Sequence, residues 1–574
     1  MKRIKEINNI ICKLKKEKWI KSFFVAALFL LITWLLFSVS YETNDDSAMM
    51  YTIAGYRTGQ IEVNSVFSSI VWGGIVGGAY RLLPQLPWYT IFSILVIWLS
   101  HAIILRSVFQ NAEKRRDLFL FMVVYMGAAI YSTAFLQFTT TALWAGIAAC
   151  SMGMCLFEKN SRKSEIVILI SLMMISFCIR KLVGIVALFF LGIVFCVNSM
   201  KHRDKGTIKK YIFVLVIVVL TMVLERGINS IYENKEGWTE WREYNQERVK
   251  YKDYTAVSYE ENPEVYEKVG WDKNLYDLVD SWFFLDSHVN KESFQVLNEY
   301  KRLFEKEKNG EAKLYEAVYN ITNMLRDSPI AFIMFCQMGI VAIAIWLKSI
   351  VCRDKILAFQ VLLIVFCSVL MVVYLGVKER VPLRVFQVCV LPATVLLGII
   401  FVKEQENNKL KNWGGTEFVI ILVLLICISG VARYTYKQSL NIIYNEGIEI
   451  RMDMENYAVK HPENLYIYDY SLSFIGDPFA VYPSGKPVNY MFWGGSTMFS
   501  PIYNRQLEVN GRTELYSEAF LEEHVYFVSR EDIGKDTLLV KYMCDRFQGM
   551  DYKKVDDVNG CGIYKFYYID DGKG

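Results

Sequence analysis

Apolar and polar positions are distributed unevenly along this chain of 574 residues. A hydrocarbon core of about 30 Å takes about 20 helical residues at 1.5 Å each. Apolar runs at or near that length recur at 22–41, 82–105, 166–179, 182–200, 211–230, 329–347, 356–377, 385–402 and 416–432. From Leu118 to Phe157 no charged residue occurs, which predicts two more crossings joined by a tight polar turn near Gln137. The stretch 63–80 is also apolar, but it contains Gly73, Gly74, Gly77 and Gly78 and runs into Arg81 and Pro84, so it reads as a helix lying along the outer surface. The pattern predicts a polytopic α-helical membrane protein with about eleven transmembrane helices.

Basic residues set the direction of the crossings. The segment 1–21 is strongly basic and lacks a small-residue cleavage site, so it reads as a cytoplasmic anchor rather than a removed signal peptide. Clusters at Lys114/Arg115/Arg116, Lys159/Arg162/Lys163, Lys201–Lys210, Arg353/Lys355 and Lys403/Lys409/Lys411 are expected on the same side. Parity then places 41–81, the long polar loop 233–328, the turn Lys378–Arg384 and the tail outside. Residues 22–432 form the transmembrane part. Beyond it, 434–574 reads as a small extracytoplasmic α/β domain. A polar helix is expected near 449–460, followed by extended runs at 464–469, 524–529 and 562–568 between Gly, Pro and Asn turns.

Composition narrows the function. Apolar residues make up 53% of the chain and the formal charge is only +4, so no basic field argues for nucleic acid. Most of the 12 cysteines lie in apolar runs, where they act as small hydrophobes, and only Cys544 and Cys561 are placed to pair. The five histidines are scattered and no HExxH occurs, so zinc hydrolase chemistry lacks its usual ligands. No metal or cofactor is expected.

The most informative segment is YETNDDSAMMYTIAGYRTG (41–59), directly after the first crossing. It sets Asp45 and Asp46 at the membrane boundary before a helical pattern. They read either as a helix cap, with Asn44 or Asp45 in that role, or as a general base that takes a proton from an attacking hydroxyl. Successive helical residues diverge by about 100°, so only one of the two can face a given site. Arg180 and Lys181 sit between two apolar runs, and Lys378, Arg380 and Arg384 lie in a turn on the same side. They read as cations snorkelling to water or as the anchors of a lipid-linked phosphate. Gln137 and three threonines form an uncharged turn, for which helix-to-helix hydrogen bonding is the commoner role and sugar contact the alternative. Trp271, Trp282 and Trp493 are candidates for stacking on sugar rings or for ordinary interfacial packing. Asp280 and Asp286 are reserve carboxylates on what otherwise reads as a solvated helix face.

Asn44-Asp45-Asp46 after the first crossing, a GG-rich non-crossing helix followed by Pro, many short-looped crossings and an outer C-terminal domain together resemble the GT-C superfamily of integral membrane glycosyltransferases. The resemblance covers the order of parts over most of the chain. It departs from better-known members in having Asn64-Ser65 where a Pro-Pro pair is often found. It implies a polyprenyl-phosphate sugar donor, an acceptor that is a glycan, lipid or protein of the cell envelope, and a plasma-membrane location. It assigns the reaction centre to Asp45 or Asp46 and the donor phosphate to some of Arg180, Lys181, Lys378, Arg380 and Arg384. Asn44, Gln137, Trp271 and Trp282 are then the expected sugar contacts. Competing readings are a polysaccharide polymerase or ligase, which would use His288 in the large loop, and a transporter or flippase, for which Glu225 and Arg226 are the nearest intramembrane charges. A scaffold that only displays the tail domain is a third.

Overall fold

A computed structural model describes residues 2–112, 115–156, 163–201, 204–254, 256–307, 310–403, 414–443, 447–473, 475–481 and 488–569. Lys114, Lys159, Arg162, Arg203, Lys409 and Lys411, used above for sidedness, lie outside those residues.

Every predicted apolar run is a helix. The first half of the chain comprises α1 (Lys2–Phe37), strand β1 (Ser40–Tyr41), α2 (Asn44–Ala54), α3 (Ile70–Leu82), α4 (Trp88–Asn111), α5 (Arg115–Ala134), strand β2 (Phe135–Leu136), α6 (Phe138–Cys155), α7 (Lys163–Ile179), α8 (Lys181–Lys201) and α9 (Lys205–Glu233). The polar loop then folds as α10 (Trp238–Lys252), α11 (Pro263–Lys268), α12 (Lys273–Asp280), α13 (Lys291–Glu307) and α14 (Gly310–Asp327). The bundle resumes with α15 (Pro329–Cys352), α16 (Lys355–Val377), α17 (Leu383–Lys403) and α18 (Gly414–Ile443). Among the described residues nine of these helices are long and apolar enough to cross a membrane. The shorter α5 and α7 fill the other two predicted positions.

α6 and α17 are buried along almost their whole length and form the centre of the bundle. Small residues let α6 approach its neighbours: a side-chain carbon at Gly146 would stand 2.6 Å from Ala187 Cβ. α1, α9 and α16 instead expose large apolar side chains such as Phe24, Phe213, Leu220 and Phe366, the faces expected to meet lipid. α3 has 13 residues and is therefore about 20 Å long, too short to cross. It begins at residue 70 rather than 63 because the preceding polar residues bond locally: Ser65 and Ser68 hydroxyls are 2.6 Å apart and Asn64 Oδ1 accepts the Val66 N–H at 3.0 Å.

The tail begins with α19 (Gly447–Lys460), then β3 (Leu465–Tyr468), β4 (Tyr490–Phe492), α20 (Pro501–Val509), β5 (Val525–Ser529), α21 (Leu538–Arg546), β6 (Met550–Val558) and β7 (Cys561–Tyr568). The strands form one sheet in the order β4-β3-β5-β7-β6. β3 runs parallel to β4 and β5, while β7 is antiparallel to β5 and β6. The three predicted strands are present; β4 and β6 are additional. The loop helices and the tail share one core, in which Trp271, Phe284 and Phe294 pack with Ile467, Trp493 and Phe527. That cluster joins the loop 233–328 to the tail, while the buried cluster of the bundle runs from Ala26 to Val431 and a further one, from Ile450 to Ile563, belongs to the tail. Cys544 and Cys561, the two candidates for a disulfide, are not paired: Cys544 is an exposed free thiol and Cys561 a buried one.

Candidate active site at the membrane boundary

The site is built where α1 and α5 end. Ser40 lies opposite Phe135 and Tyr41 opposite Leu136 in a two-residue parallel ladder, and the Glu42 N–H donates to the Leu136 carbonyl at 3.0 Å. These bonds satisfy main-chain groups where the bundle leaves little water to do so. α2 starts at once, with Thr43 as its extended N-cap and no side-chain capping bond. Neither Asn44 nor Asp45 is the cap. Asn44 instead donates to Ser473 Oγ at 2.7 Å, tying α2 to the tail. Asp45 and Asp46 occupy the first turn, where the helix end favours negative charge.

The two aspartates diverge as helical geometry requires. Asp46 is buried, and its Oδ1 accepts the Tyr89 hydroxyl at 2.8 Å and the Phe138 N–H at 2.9 Å. Its Oδ2 is buried with no hydrogen bond among the described residues. Burial pushes its carboxyl well above the usual carboxylate range, against the Tyr89 bond and with further help from the neighbouring Asp45 charge. Asp45 is turned the other way, 29% exposed, and its Oδ2 lies 3.3 Å from Arg384 Nη2.

A third carboxylate completes the group. Burial pushes Glu42 up to about 7, opposed by the Arg384 charge and a hydrogen bond from the Tyr131 hydroxyl. That bond is 3.3 Å, and the second Glu42 oxygen is buried without a hydrogen bond among the described residues. Glu42 stands inside the stretch already singled out by sequence, as the first charge after the crossing, yet only the Asp pair drew attention.

Three of the five predicted cations converge here. Arg180 is the single residue between α7 and α8; its guanidinium donates to the Phe67 carbonyl at 3.5 Å and lies 5.1 Å from the centre of the Phe138 ring. Burial works against its charge, as do Arg384 and Arg380, while Asp45 favours it. Arg384 pairs with Asp45, and Arg380 donates to Asp253 Oδ2 at 2.9 Å from the turn after α16. The other two stand apart. Lys181 is exposed and its charge is felt by Glu225 on α9, and Lys378 is exposed at the end of α16.

The remaining candidates are held by the protein itself. Gln137 caps α6, its Oε1 accepting the N–H groups of Thr139 at 2.6 Å and Thr140 at 3.1 Å. Trp271 is fully buried and its indole N–H donates to the His288 carbonyl at 2.8 Å, so its ring offers no face to a sugar. Trp493 is likewise in the core, stacked on Phe527. The Trp282 ring is stacked on Tyr470 at 5.7 Å, with the Arg248 guanidinium 5.3 Å from its centre. Asp280 pairs with Lys252, and the buried Asp286 accepts from His288, Tyr542 and Arg546, knitting the loop to α21. Glu225, the main intramembrane charge behind the transporter alternative, accepts the hydroxyl of Ser69, the N-cap of α3. Among the described residues no group of three His, Cys, Asp or Glu side chains is arranged to hold a metal ion.

The tail covers α2 from above. The Gly476 N–H donates to Ser47 Oγ at 2.8 Å. Glu455 on α19 accepts from Arg451 at 3.0 Å, from the Tyr490 hydroxyl at 2.8 Å and from the Tyr51 hydroxyl at 3.2 Å. No periodicity or motif announces the bonds from Gly476 to Ser47 and from Tyr51 to Glu455, because they join residues some 400 positions apart. The segments 41–81, 233–328, 378–384 and the tail thus meet at one end of the bundle.

No family model matches the sequence, and no curated protein matches it. Among solved structures, the chain is similar to two crystal structures of ArnT from Cupriavidus metallidurans. One, bound to undecaprenyl phosphate, has 13% sequence identity, covers 96% of this chain and 98% of its own, and has a TM-score of 0.49. The other, in the apo state, has 11% identity, covers 96% of this chain and 97% of its own, and has a TM-score of 0.49.

Proposed function

We propose that this chain is a membrane glycosyltransferase that moves a sugar from a polyprenyl-phosphate donor to a cell-envelope acceptor on the outer face, with inversion. The observation that carries the reading is the partly exposed Asp45 carboxylate, paired with Arg384 beside Arg180 and Arg380 at the end of an apolar bundle.

The arginines hold the donor phosphate, and its isoprenoid tail lies in lipid. In the free protein Arg384 faces Asp45; an incoming phosphate takes over that guanidinium and releases the carboxylate. The acceptor oxygen then attacks the anomeric carbon from the side opposite the phosphate while Asp45 accepts its proton. The bond from carbon to phosphate oxygen breaks, and the phosphate departs with the electron pair. The arginine charges stabilise that growing negative charge, the kind of preorganised electrostatics that usually contributes most. Asp46, sealed from water, orients α2 through Tyr89 and Phe138 rather than taking the proton.

The test is sugar transfer from a polyprenyl-phosphate donor by the purified full-length protein. Asp45→Asn is expected to lower turnover by about 100-fold or more, the usual weight of a positioned base. Arg384→Gln is expected to raise the donor KM. Full activity in Asp45→Asn removes the mechanism.

A further inference from the structure

The end of the bundle away from the aspartates holds a polar site that the transfer chemistry does not use. α8 and α17 each run 21 residues from the level of Arg180 and Arg384, so their last residues lie about 30 Å from it. There the ends of α6, α8 and α17 and the start of α16 enclose a small cavity of about 20 Å³, bordered by Asn198, Lys201, Gln360 and Lys403. That volume admits about one water molecule, or one oxygen of a larger ion.

The polar groups around it are donors in excess. The last carbonyls of α6 have no partner within their own helix, and other side chains already serve them. Lys403 Nζ donates to the Met154 carbonyl at 2.6 Å, and Asn198 Nδ2 donates to the Gly153 carbonyl at 3.3 Å and to that of Met154 at 3.4 Å. Gln360 is 1% exposed, and its Nε2 is buried with no hydrogen bond among the described residues. A buried donor left in that state is costly. Two ammonium groups stand with it, and among the described residues no acid borders the cavity. A negatively charged atom that only accepts suits such a set of donors better than water, which must also donate.

The surroundings say what carries that atom. Lys201 is exposed at the rim. Along the two helices that flank the cavity the surface is apolar: Ile185 and Phe189 are exposed on α8, and Phe359 and Leu362 on α16. A free solute gains nothing from such flanks, whereas acyl chains lie against them. Basic pockets between crossings, level with the headgroups, are places where anionic lipids are held.

We propose that this cavity anchors an anionic phospholipid. One phosphate oxygen enters and accepts from Gln360 Nε2, Lys201 and Lys403 supply the opposite charge, and the acyl chains run along α8 and α16. The bound lipid ties the ends of α8, α16 and α17 together at the far end of the bundle from Asp45. The inference is independent of the transfer reaction.

The experiment is native mass spectrometry of the full chain in detergent micelles, titrated with phosphatidylglycerol, phosphatidylcholine or free glycerol 3-phosphate. One phosphatidylglycerol is expected to bind saturably, about tenfold or more tighter than either other probe. Gln360→Leu, which keeps most of the bulk, and Lys201→Gln should each weaken it by about tenfold. Lys209→Gln, at an exposed lysine of α9 near the same end, should leave it unchanged. Phosphatidylglycerol should also raise the Tm of the parent more than that of Gln360→Leu, a melt that shows at the same time that the variant is folded. Four outcomes overturn the proposal. With no saturable binding the cavity holds a water alone, and equal binding of phosphatidylcholine removes the role of the lysines. Glycerol 3-phosphate binding as tightly as the lipid makes this a site for free phosphate esters. Unchanged affinity in Gln360→Leu, or a loss in Lys209→Gln as large as in Lys201→Gln, reduces the effect to a basic surface.

Discussion

At Asp46 the carboxyl group has no route to water and burial favours its neutral form, so an asparagine amide replaces it at little cost. Asp46→Asn is therefore expected to keep turnover within about fivefold of the parent, under 1 kcal/mol, in the assay where Asp45→Asn loses it. Glu42 makes a second prediction. Its folded-state value of about 7 lies above the ordinary 4.5, so the folded protein holds a proton that the unfolded chain releases between those values. That contribution to stability is fully present below pH 4.5 and is lost as pH rises towards 7. The Tm of the purified protein should fall across that window, and Glu42→Gln should flatten the slope; an unchanged slope sinks the assignment. The sequence placed Asp45 and Asp46 at the boundary and required them to diverge, but which one faces inward depends on Tyr89 and Phe138, contributed by other helices. Glu42 was missed because its burial comes from packing that no local pattern encodes.

The crossings were legible as elements because a bilayer demands one long apolar stretch per helix, a signal that survives ignorance of every neighbour. Strands β4 and β6 were not. β4 spans three residues, and β6, MDYKKVDDV, is a charged edge strand whose polarity hides it while protecting the sheet from further pairing. Glycines in 63–80 were read as a mark of a non-crossing helix, and the structure gives one of them a specific task. A side-chain carbon at Gly73 would lie 1.9 Å from the Val63 carbonyl, whereas one at Gly74 meets nothing within 4 Å. Gly73→Ala should lower stability by about 1–3 kcal/mol, the usual range for overpacking, and Gly74→Ala should not; thermal denaturation of the two variants decides it. Aromatic residues show the opposite limit. Trp271 looked like a ligand platform, but its neighbours Tyr251, Tyr266 and Phe294 come from both sides of it in sequence and enclose it completely.

For the molecule as a whole, the shared core of loop and tail means that neither is an independent accessory. A chain ending at Ile443 would leave Trp271, Phe284 and Phe294 without the sheet they pack against. Limited proteolysis of that truncated protein should show rapid cleavage within 233–328, where the full chain resists; equal resistance would separate the two. The short ladder of Ser40–Tyr41 with Phe135–Leu136 bears on how this architecture tolerates insertions. Side chains alternate along a strand, so one extra residue before Tyr41 would send Glu42 and its neighbours to the wrong face and take Asp46 away from the Phe138 N–H. Chain length between α1 and α2 is thus a fixed count.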